Sequence, residues 1–395
     1  MRTPKSKPGK KDEVVGHMLE LLQCGQYEPG SRIPSESELV KLFGCCRSTV
    51  REAISLLVSD NRLYRIRGSG TYVAQYKRSR PTIAAIFPDL CNDYYGRYTL
   101  DIVPPIVTGI IAEARKHGVN TLLYGCGCDD KELERENINS AIESGVDGVI
   151  MLYVGADDNL DCLEEFNTAG IPLVLVDRYV EKFDSDYVVT DNYAGTYGMV
   201  NSIAEMGVEN IYYATTSEYV SSARDRMLGY TSAVSALGLP CNVVISHISQ
   251  IVTELVITGV MNRESSEYIS FRKTVEGMKL PAALLSLNPI VNAFVHEVLE
   301  DLNVPSDQVI LGHFDSNPPQ GKVNRCYFEV DQPFSEMGAR AVQIIMSRLA
   351  GETQPHKVVI EPKLTLHNAS CFAGVGSSAE KLAVNPQVAL TIADV

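Results

Sequence analysis

The sequence predicts a multidomain chain: a small α+β unit of winged helix-turn-helix type at the N-terminus, then a larger α/β region of doubly wound type in two lobes. Three observations carry this. Residues 34–54, PSESELVKLFGCCRSTVREAI, place two short amphipathic helices around a tight turn at Gly44. From residue 82 onward, apolar runs of strand length alternate with helical stretches of about ten to twenty residues, the pattern of parallel sheets covered by helices on both faces. Charge is also divided unevenly. The chain carries −14 overall, but residues 1–80 hold 15 Lys plus Arg against 8 Asp plus Glu, which leaves +7 there and −21 on the remainder. A basic small unit joined to an acidic large one suits a nucleic-acid reader attached to a domain that stays off the phosphate backbone.

A chain of 395 residues exceeds one ordinary core and splits into domains. It holds no apolar stretch of about 18 residues for a membrane span, and no apolar run follows the Lys-rich start to make a signal peptide. A cytoplasmic protein is expected. Ten cysteines are spread singly apart from Cys45-Cys46 and Cys126-Gly127-Cys128, and neither pair has the second pair or the His spacing of a zinc site. No metal or cofactor is expected.

Residues 1–11, with four Lys, one Arg and two Pro, form a disordered basic tail. A first helix from about 12 to 25 is signalled by Val14, Met18, Leu21 and Leu22 and ended by Gly25. Pro29-Gly30 makes a turn, and Ser35 with Glu38 three positions on forms a capping box for the second helix. Leu39, Leu42 and Phe43 give that helix its apolar face, and Val50, Ala53, Ile54 and Leu57 repeat the stripe on the third. Arg47, Ser48, Thr49 and Arg51 crowd the start of the third helix, where helix-turn-helix side chains meet phosphates and base edges. LYRIRGSGTYVA then predicts a hairpin wing turning at Gly68-Ser69-Gly70, with Arg65 and Arg67 near its tip.

In order and spacing, the PG turn, PSESEL, RSTVREAI and GSGTYV closely resemble the winged-helix domain of the gluconate-repressor (GntR) family over residues 12–75. The resemblance implies that Ser35, Arg47, Ser48, Thr49 and Arg51, and the wing tip at Arg67, Gly68 and Gly70, contact double-stranded operator DNA. Ser37 stands where the family commonly has Arg or Lys, and Cys45-Cys46 replace a more usual pair before Arg47.

Residues 76–82 are polar, basic and bounded by Pro81, as an interdomain linker is. Beyond it, nine apolar runs (TIAAIFPD, TLLYG, GVIML, PLVLVD, YVVTD, NIYYAT, NVVISHI, AALLSL and VILGHF) exceed one comfortable sheet and imply two lobes. Ligands of open parallel sheets bind outside the carboxyl ends of the strands. The polar residues there are Asp89, Asp177-Arg178, Asp191-Asn192, Arg224-Asp225-Arg226, Asn288 and Asp315. Carboxylates, amides and guanidinium groups together give the paired donors and acceptors of a polyhydroxylated ligand, although each alone could be a helix cap.

PLVLVDR, VVTDNYAG, RDRMLGY, PAALLSLN, VILGHFDS and DQPFSEMG closely resemble the effector domain of the lactose/galactose-repressor family, across residues 82–368. The resemblance implies a periplasmic-binding-protein-like pair of lobes over 83–369, with chain crossings near 189, 331 and 355. Lobe one would hold 83–188 and 332–354, and lobe two 190–330 and 356–369. It also implies effector contacts from Asp177, Arg226, Asn288 and Asp315, with Asp89, Tyr94, Tyr95 and Tyr98 in a first ligand loop. Pro289 stands where that family usually has Asp. Residues 370–395 match neither family and are expected to form a loosely ordered tail.

The whole chain resembles the architecture of bacterial arabinose-responsive repressors, which implies a homodimeric, sugar-responsive DNA-binding regulator. The rival classes are an α/β enzyme or a sugar-binding protein of the transport type. No G-x-G-x-x-G after the first strand, no Walker loop and no G-x-S-x-G elbow is present, and no catalytic residue is expected.

Overall fold

A computed structural model of the chain describes residues 9–23, 26–60, 62–74, 80–88, 102–126, 130–154, 159–216, 220–245, 260–315, 325–372 and 390–393. It divides into a unit ending at Arg80 and a unit beginning at Pro81.

The first unit contains α1 (Lys10–Gln23), α2 (Glu36–Phe43), α3 (Arg47–Ser59) and an antiparallel hairpin of β1 (Leu63–Ile66) and β2 (Gly70–Val73). Ser35 caps α2 as its spacing predicts. Its hydroxyl accepts from the Glu38 N–H at 3.4 Å, while its own N–H donates to Glu38 Oε2 at 2.7 Å. Gly44 closes α2 in the left-handed conformation. Val14, Met18, Leu39, Val50, Ile54, Leu57 and Val73 fill one core. Leu42 was expected on the buried face of α2 but is 59% exposed. The helix is only 8 residues long, and Val40 and Phe43 take the space beside Leu39. Residues 31–33 run along β2, with the Ile33 N–H donating to Thr71 O at 3.0 Å and the Val73 N–H to Ser31 O at 2.9 Å.

The second unit is built on two sheets. Lobe one holds six parallel strands in the order β13-β7-β6-β5-β3-β4: Lys357–Ile360, Asp186–Thr190, Leu173–Val176, Gly148–Met151, Thr82–Pro88 and Asn120–Cys126. Alternate residues of these strands serve opposite faces. Ile83, Ala85, Phe87, Ile150 and Val174 pack under α4 (Val103–Lys116) and α11 (Phe334–Leu349), whereas Ala84, Ile86, Val149, Met151 and Leu175 pack under α5 (Lys131–Glu143) and α6 (Leu160–Ala169). Both faces are therefore apolar, as a buried parallel sheet requires. At the α4–α11 crossing, a Cβ on Gly109 would lie 2.0 Å from Ser335 O, and one on Gly338 would lie 2.1 Å from Ile106 O. Glycine at both positions is what lets the two backbones meet.

Lobe two holds β15-β14-β12-β11-β10-β8-β9: Leu390–Ala393, Lys363–His367, Tyr327–Asp331, Val309–Phe314, Ala282–Ser286, Asn210–Thr215 and Asn242–Ile245. All neighbours are parallel except β12 with β14. α7 (Asn192–Glu205) and α8 (Ser221–Ala236) cover one face; α9 (Ser266–Glu276) and α10 (Pro289–Asp301) cover the other.

The chain leaves lobe one after β7, at Asp191, and returns after β12, at Gln332-Pro333. The third crossing differs from the expectation near 355. Lys357–Ile360 pair in parallel with β7 of lobe one, so the chain crosses at Glu361-Pro362, where proline lacks the N–H to continue a ladder. Of the tail expected over 370–395, residues 373–389 and 394–395 lie outside the described residues, and Leu390–Ala393 depart from the expectation by forming a strand parallel to β14, whose edge offers unpaired backbone groups to a short β-prone segment. No helix among the described residues is long and apolar enough to cross a membrane.

Candidate functional site

In the first unit, the N-terminus of α3 presents Arg47, Ser48 and Arg51 to solvent, with Thr49 half-buried. The two arginines converge on one carboxylate. Arg47 Nε donates to Glu36 Oε2 at 3.2 Å, and Arg51 donates through Nη2 to the same oxygen at 3.3 Å. Burial raises the Glu36 pKa, but the bonds from Arg51 and Arg47 outweigh it and hold the carboxyl below its usual range. The two guanidinium groups are thereby aimed outward side by side, each about two-thirds exposed (66% and 62%). Cys46, the N-cap of α3, lies 3.1 Å from Ser48 Oγ and 3.0 Å from Thr49 Oγ1, and these hydroxyls bring its thiol down to about 7. Ser35 has its hydroxyl engaged with Glu38.

Arg67, Gly68 and Ser69 form the exposed turn of the wing, and Gly70 begins β2. A Cβ on Gly70 would lie 2.6 Å from Arg32 Nε. Arg65, expected near the tip, instead turns back toward α3 and donates to Ser55 Oγ at 3.3 Å. It lies too far down β1 to share the outer surface of the turn with Arg67.

In the second unit, the carboxyl ends of the strands gather three charged side chains into one buried place. Asp177 directly follows β6, Asp315 directly follows β11, and Arg226 lies on the second turn of α8; their exposures are 4%, 8% and 5%. Asp177 and Asp315 both have positive φ, 68° and 69°, a conformation uncommon for residues other than glycine. Arg226 is fixed on three sides. Its Nε donates to Asn192 Oδ1 at 2.7 Å, its Nη1 donates to Leu287 O at 2.7 Å, and its guanidinium carbon lies 3.9 Å from the centre of the Phe314 ring. Gln332 Nε2 donates to Asp315 Oδ1 at 2.5 Å. Burial pushes the Asp315 carboxyl up to about 6 although Arg226 and Gln332 pull it down, and the Asp177 charge adds to the rise. Asp177 belongs to lobe one and Asp315 to lobe two, so the two carboxylates approach closely enough across the lobes for one charge to act on the other.

Several buried polar atoms at these strand ends have no hydrogen-bond partner among the described residues: Thr190 Oγ1, Thr216 Oγ1, Ser286 Oγ, Asn292 Oδ1 and Gln332 Oε1. Orphaned buried groups cost free energy unless a ligand or solvent satisfies them. Asn288 serves as a helix cap: its Oδ1 caps α10 by accepting from the Val291 N–H at 2.9 Å. Asp89, Tyr94, Tyr95 and Tyr98 lie outside the described residues. Phe314, Gln332 and Glu36 carry no mark in the sequence, whereas Asn192 stands among the polar strand-end residues without being one of the implied effector contacts. Asn192 and Gln332 do stand inside VVTDNYAG and DQPFSEMG, two of the motifs that carried the family resemblance.

Residues 10–73 match the family model of bacterial regulatory proteins of the gntR family; residues 92–254 match a periplasmic binding protein domain and 200–368 a periplasmic binding protein-like domain. The chain joins a GntR-type winged helix to a periplasmic-binding-protein-like domain. An arabinose metabolism transcriptional repressor of Halalkalibacterium halodurans is 24% identical over 382 residues, 92% of this chain and 96% of its own length. The repressor of the same description in Geobacillus stearothermophilus is 24% identical over 366 residues, 91% of this chain and 96% of its own. Among solved structures, a transcriptional regulator CelR–cellobiose complex has a TM-score of 0.56 at 20% identity, covering 80% of this chain and 88% of that one. A periplasmic binding protein/LacI transcriptional regulator of Alkaliphilus metalliredigens with D-xylulofuranose has a TM-score of 0.55 at 17% identity, covering 72% and 96%. These solved structures share the fold of the two-lobed unit.

Proposed function

We propose that this protein is a transcriptional repressor whose affinity for operator DNA is set by a sugar bound between the two lobes. One observation carries the reading: Asp177, Arg226 and Asp315 converge from both lobes beside orphaned polar atoms. Arg226 keeps Nη2 free of hydrogen bonds among the described residues, and Asp315 keeps Oδ2. A donor flanked by two carboxylates, all held rigid, suits adjacent hydroxyls of a neutral sugar better than it suits an anion. The relatives named as arabinose repressors support a pentose, and the GntR-type unit supports operator contact through Arg47, Ser48, Thr49 and Arg51 and the wing tip.

A dimer fits the reading. β4 is an edge strand, and Leu122 and Leu123 on it are 39% and 49% exposed, with Ile111 of α4 48% exposed. A second copy seated on this side of lobe one would cover them and set two winged helices at paired half-sites. Sugar closing the cleft would then turn the lobes about the three crossings and release the operator.

A gel-shift assay with DNA upstream of the protein's own gene, combined with a thermal-shift screen of pentoses, hexoses, deoxysugars and nucleosides, tests this. A sugar that both raises the melting temperature and releases the DNA is expected. Operator binding by the fragment lacking residues 1–75, or indifference to every sugar, would overturn it.

A further inference from the structure

The loop after β6 and the first turns of α8 carry two sets of residues in close succession. Asp177 and Arg226 are buried in the ligand site, whereas Tyr179 and Glu181 of lobe one meet Ser221, Arg224 and Asp225 of lobe two beside it. The Tyr179 N–H donates to Ser221 Oγ at 2.9 Å and its hydroxyl donates to Asp225 Oδ2 at 3.3 Å. Arg224 Nη2 donates to the Tyr179 hydroxyl at 2.6 Å, its Nη1 donates to Glu181, and its Nε donates to Asp225 Oδ1 at 3.2 Å. The guanidinium also lies over the Tyr179 ring, 5.5 Å from its centre. Tyr179 is backed in turn by Tyr187, stacked at 4.8 Å.

We propose that Tyr179, Glu181, Ser221, Arg224 and Asp225 form a latch that holds the two lobes together beside the ligand site and so sets effector affinity. What the closure serves rests on the sugar-responsive reading above; the latch itself rests on the contacts. Among the described residues no side-chain hydrogen bond joins the five to Arg226, Asp177 or Asp315, so their effect on a ligand passes through the position of the lobes and of the segments that carry both sets. A ligand that needs the closed form binds with an apparent dissociation constant equal to the intrinsic one divided by the closed fraction. An exposed Glu–Arg pair alone would shift that fraction little. Here the pair belongs to a network with a stacked tyrosine, a second carboxylate 24% exposed and a backbone hydrogen bond, which holds the partners in one geometry. Because Glu181 is 68% and Arg224 40% exposed, the ionic part of the latch is open to screening. Affinity for an uncharged sugar therefore acquires a salt dependence that direct sugar contacts would not give it.

The test compares the full-length wild type with Tyr179→Phe/Glu181→Gln and with Glu181→Gln alone. In sugar-free protein, amide hydrogen exchange over 177–181 and 220–226 should be faster in the double variant. With L-arabinose as the probe, calorimetry should show affinity reduced about three- to thirtyfold in the double variant, and a weakening with salt in the wild type that Glu181→Gln diminishes. Unchanged exchange in the double variant overturns the latch, whatever happens to affinity. Faster exchange in a protein whose wild type ignores L-arabinose leaves the latch standing and removes arabinose as the effector instead.

Discussion

The guanidinium carbon of Arg226 lies over the Phe314 ring, 3.9 Å from the ring centre, while Asn192 and Leu287 accept from two of its nitrogens. Arg226 comes from α8 and Phe314 from the last position of β11, so the stack joins two elements brought together only by folding. Lys can reproduce the charge but neither the planar stack nor the fork of donors. Arg226→Lys should therefore bind operator as the wild type does and lose response to the effector. A lost charged hydrogen bond in a closed site costs about 1.5–3 kcal/mol, roughly ten- to a hundredfold in affinity. Effector titration with operator release as readout checks it. An unchanged midpoint together with a lowered melting temperature would make Arg226 a purely structural residue.

The raised pKa of Asp315 predicts a pH dependence of the response. With the carboxyl pushed up to about 6, its acceptor form is lost as pH falls through that value. A sugar hydroxyl donating to Asp315 should accordingly bind up to about tenfold more weakly per pH unit below this point and show little change above pH 7. Stability runs in the opposite sense. The folded state holds this proton more tightly than the unfolded chain, so the contribution is present below about pH 4 and is lost as pH rises through about 6. Asp315→Asn should flatten both profiles, and calorimetric titrations at pH 5 and pH 7.5 would reveal it.

Glu36 gives the reader helix a brake as well as a brace. It orients Arg47 and Arg51 but also neutralises part of the charge that they offer to phosphate. Arg47→Ala and Arg51→Ala should each weaken operator binding by about 1–3 kcal/mol and leave sugar-induced stabilisation intact. Glu36→Gln should do the reverse to non-specific DNA, raising its affinity and steepening the salt dependence, because both guanidinium groups are released. Competition of operator against random-sequence DNA at two salt concentrations distinguishes these outcomes.

Much of this architecture could be read from the chain because its signals are local. Each of the nine long apolar runs is a strand, since a parallel strand buried on both faces must be apolar at nearly every position. β12, β13 and β14 escaped notice for the converse reason: YFEVD and KLTLH interrupt their apolar residues with polar ones, and β13 alternates exposed and half-buried residues. That omission displaced the third crossing. Asp177 and Asp315 could be found as the polar residues that end apolar runs. Asn192 stands at a strand end too, but its partner 34 residues on, like the partner of Gln332 17 residues back, is set by a register that only folding supplies. Arg65 was misplaced because strand alternation assigns a face and says nothing of the Ser55 hydroxyl waiting on α3.

α4 and α11 cross in lobe one with Gly109 and Gly338 against the opposite backbone, and α11 enters the lobe directly from the Gln332-Pro333 crossing. A methyl at Gly338 would sit 2.1 Å from a carbonyl oxygen, an obstacle that no side-chain rotation can relieve. The helices would have to separate, opening a core that includes Ile106, Met337 and Ala341. Gly338→Ala should therefore destabilise the two-lobed unit by about 1–3 kcal/mol. Its consequence should also reach further than stability. Moving α11 shifts Met337, whose Sδ lies 3.1 Å from the Asp177 N–H, and so shifts the lobe-one carboxylate of the ligand site. Thermal denaturation should show the loss of stability, and sugar affinity measured well below the melting temperature should fall as well. A variant that melts earlier yet binds sugar as tightly as the wild type would show that α11 can move without carrying Asp177 with it.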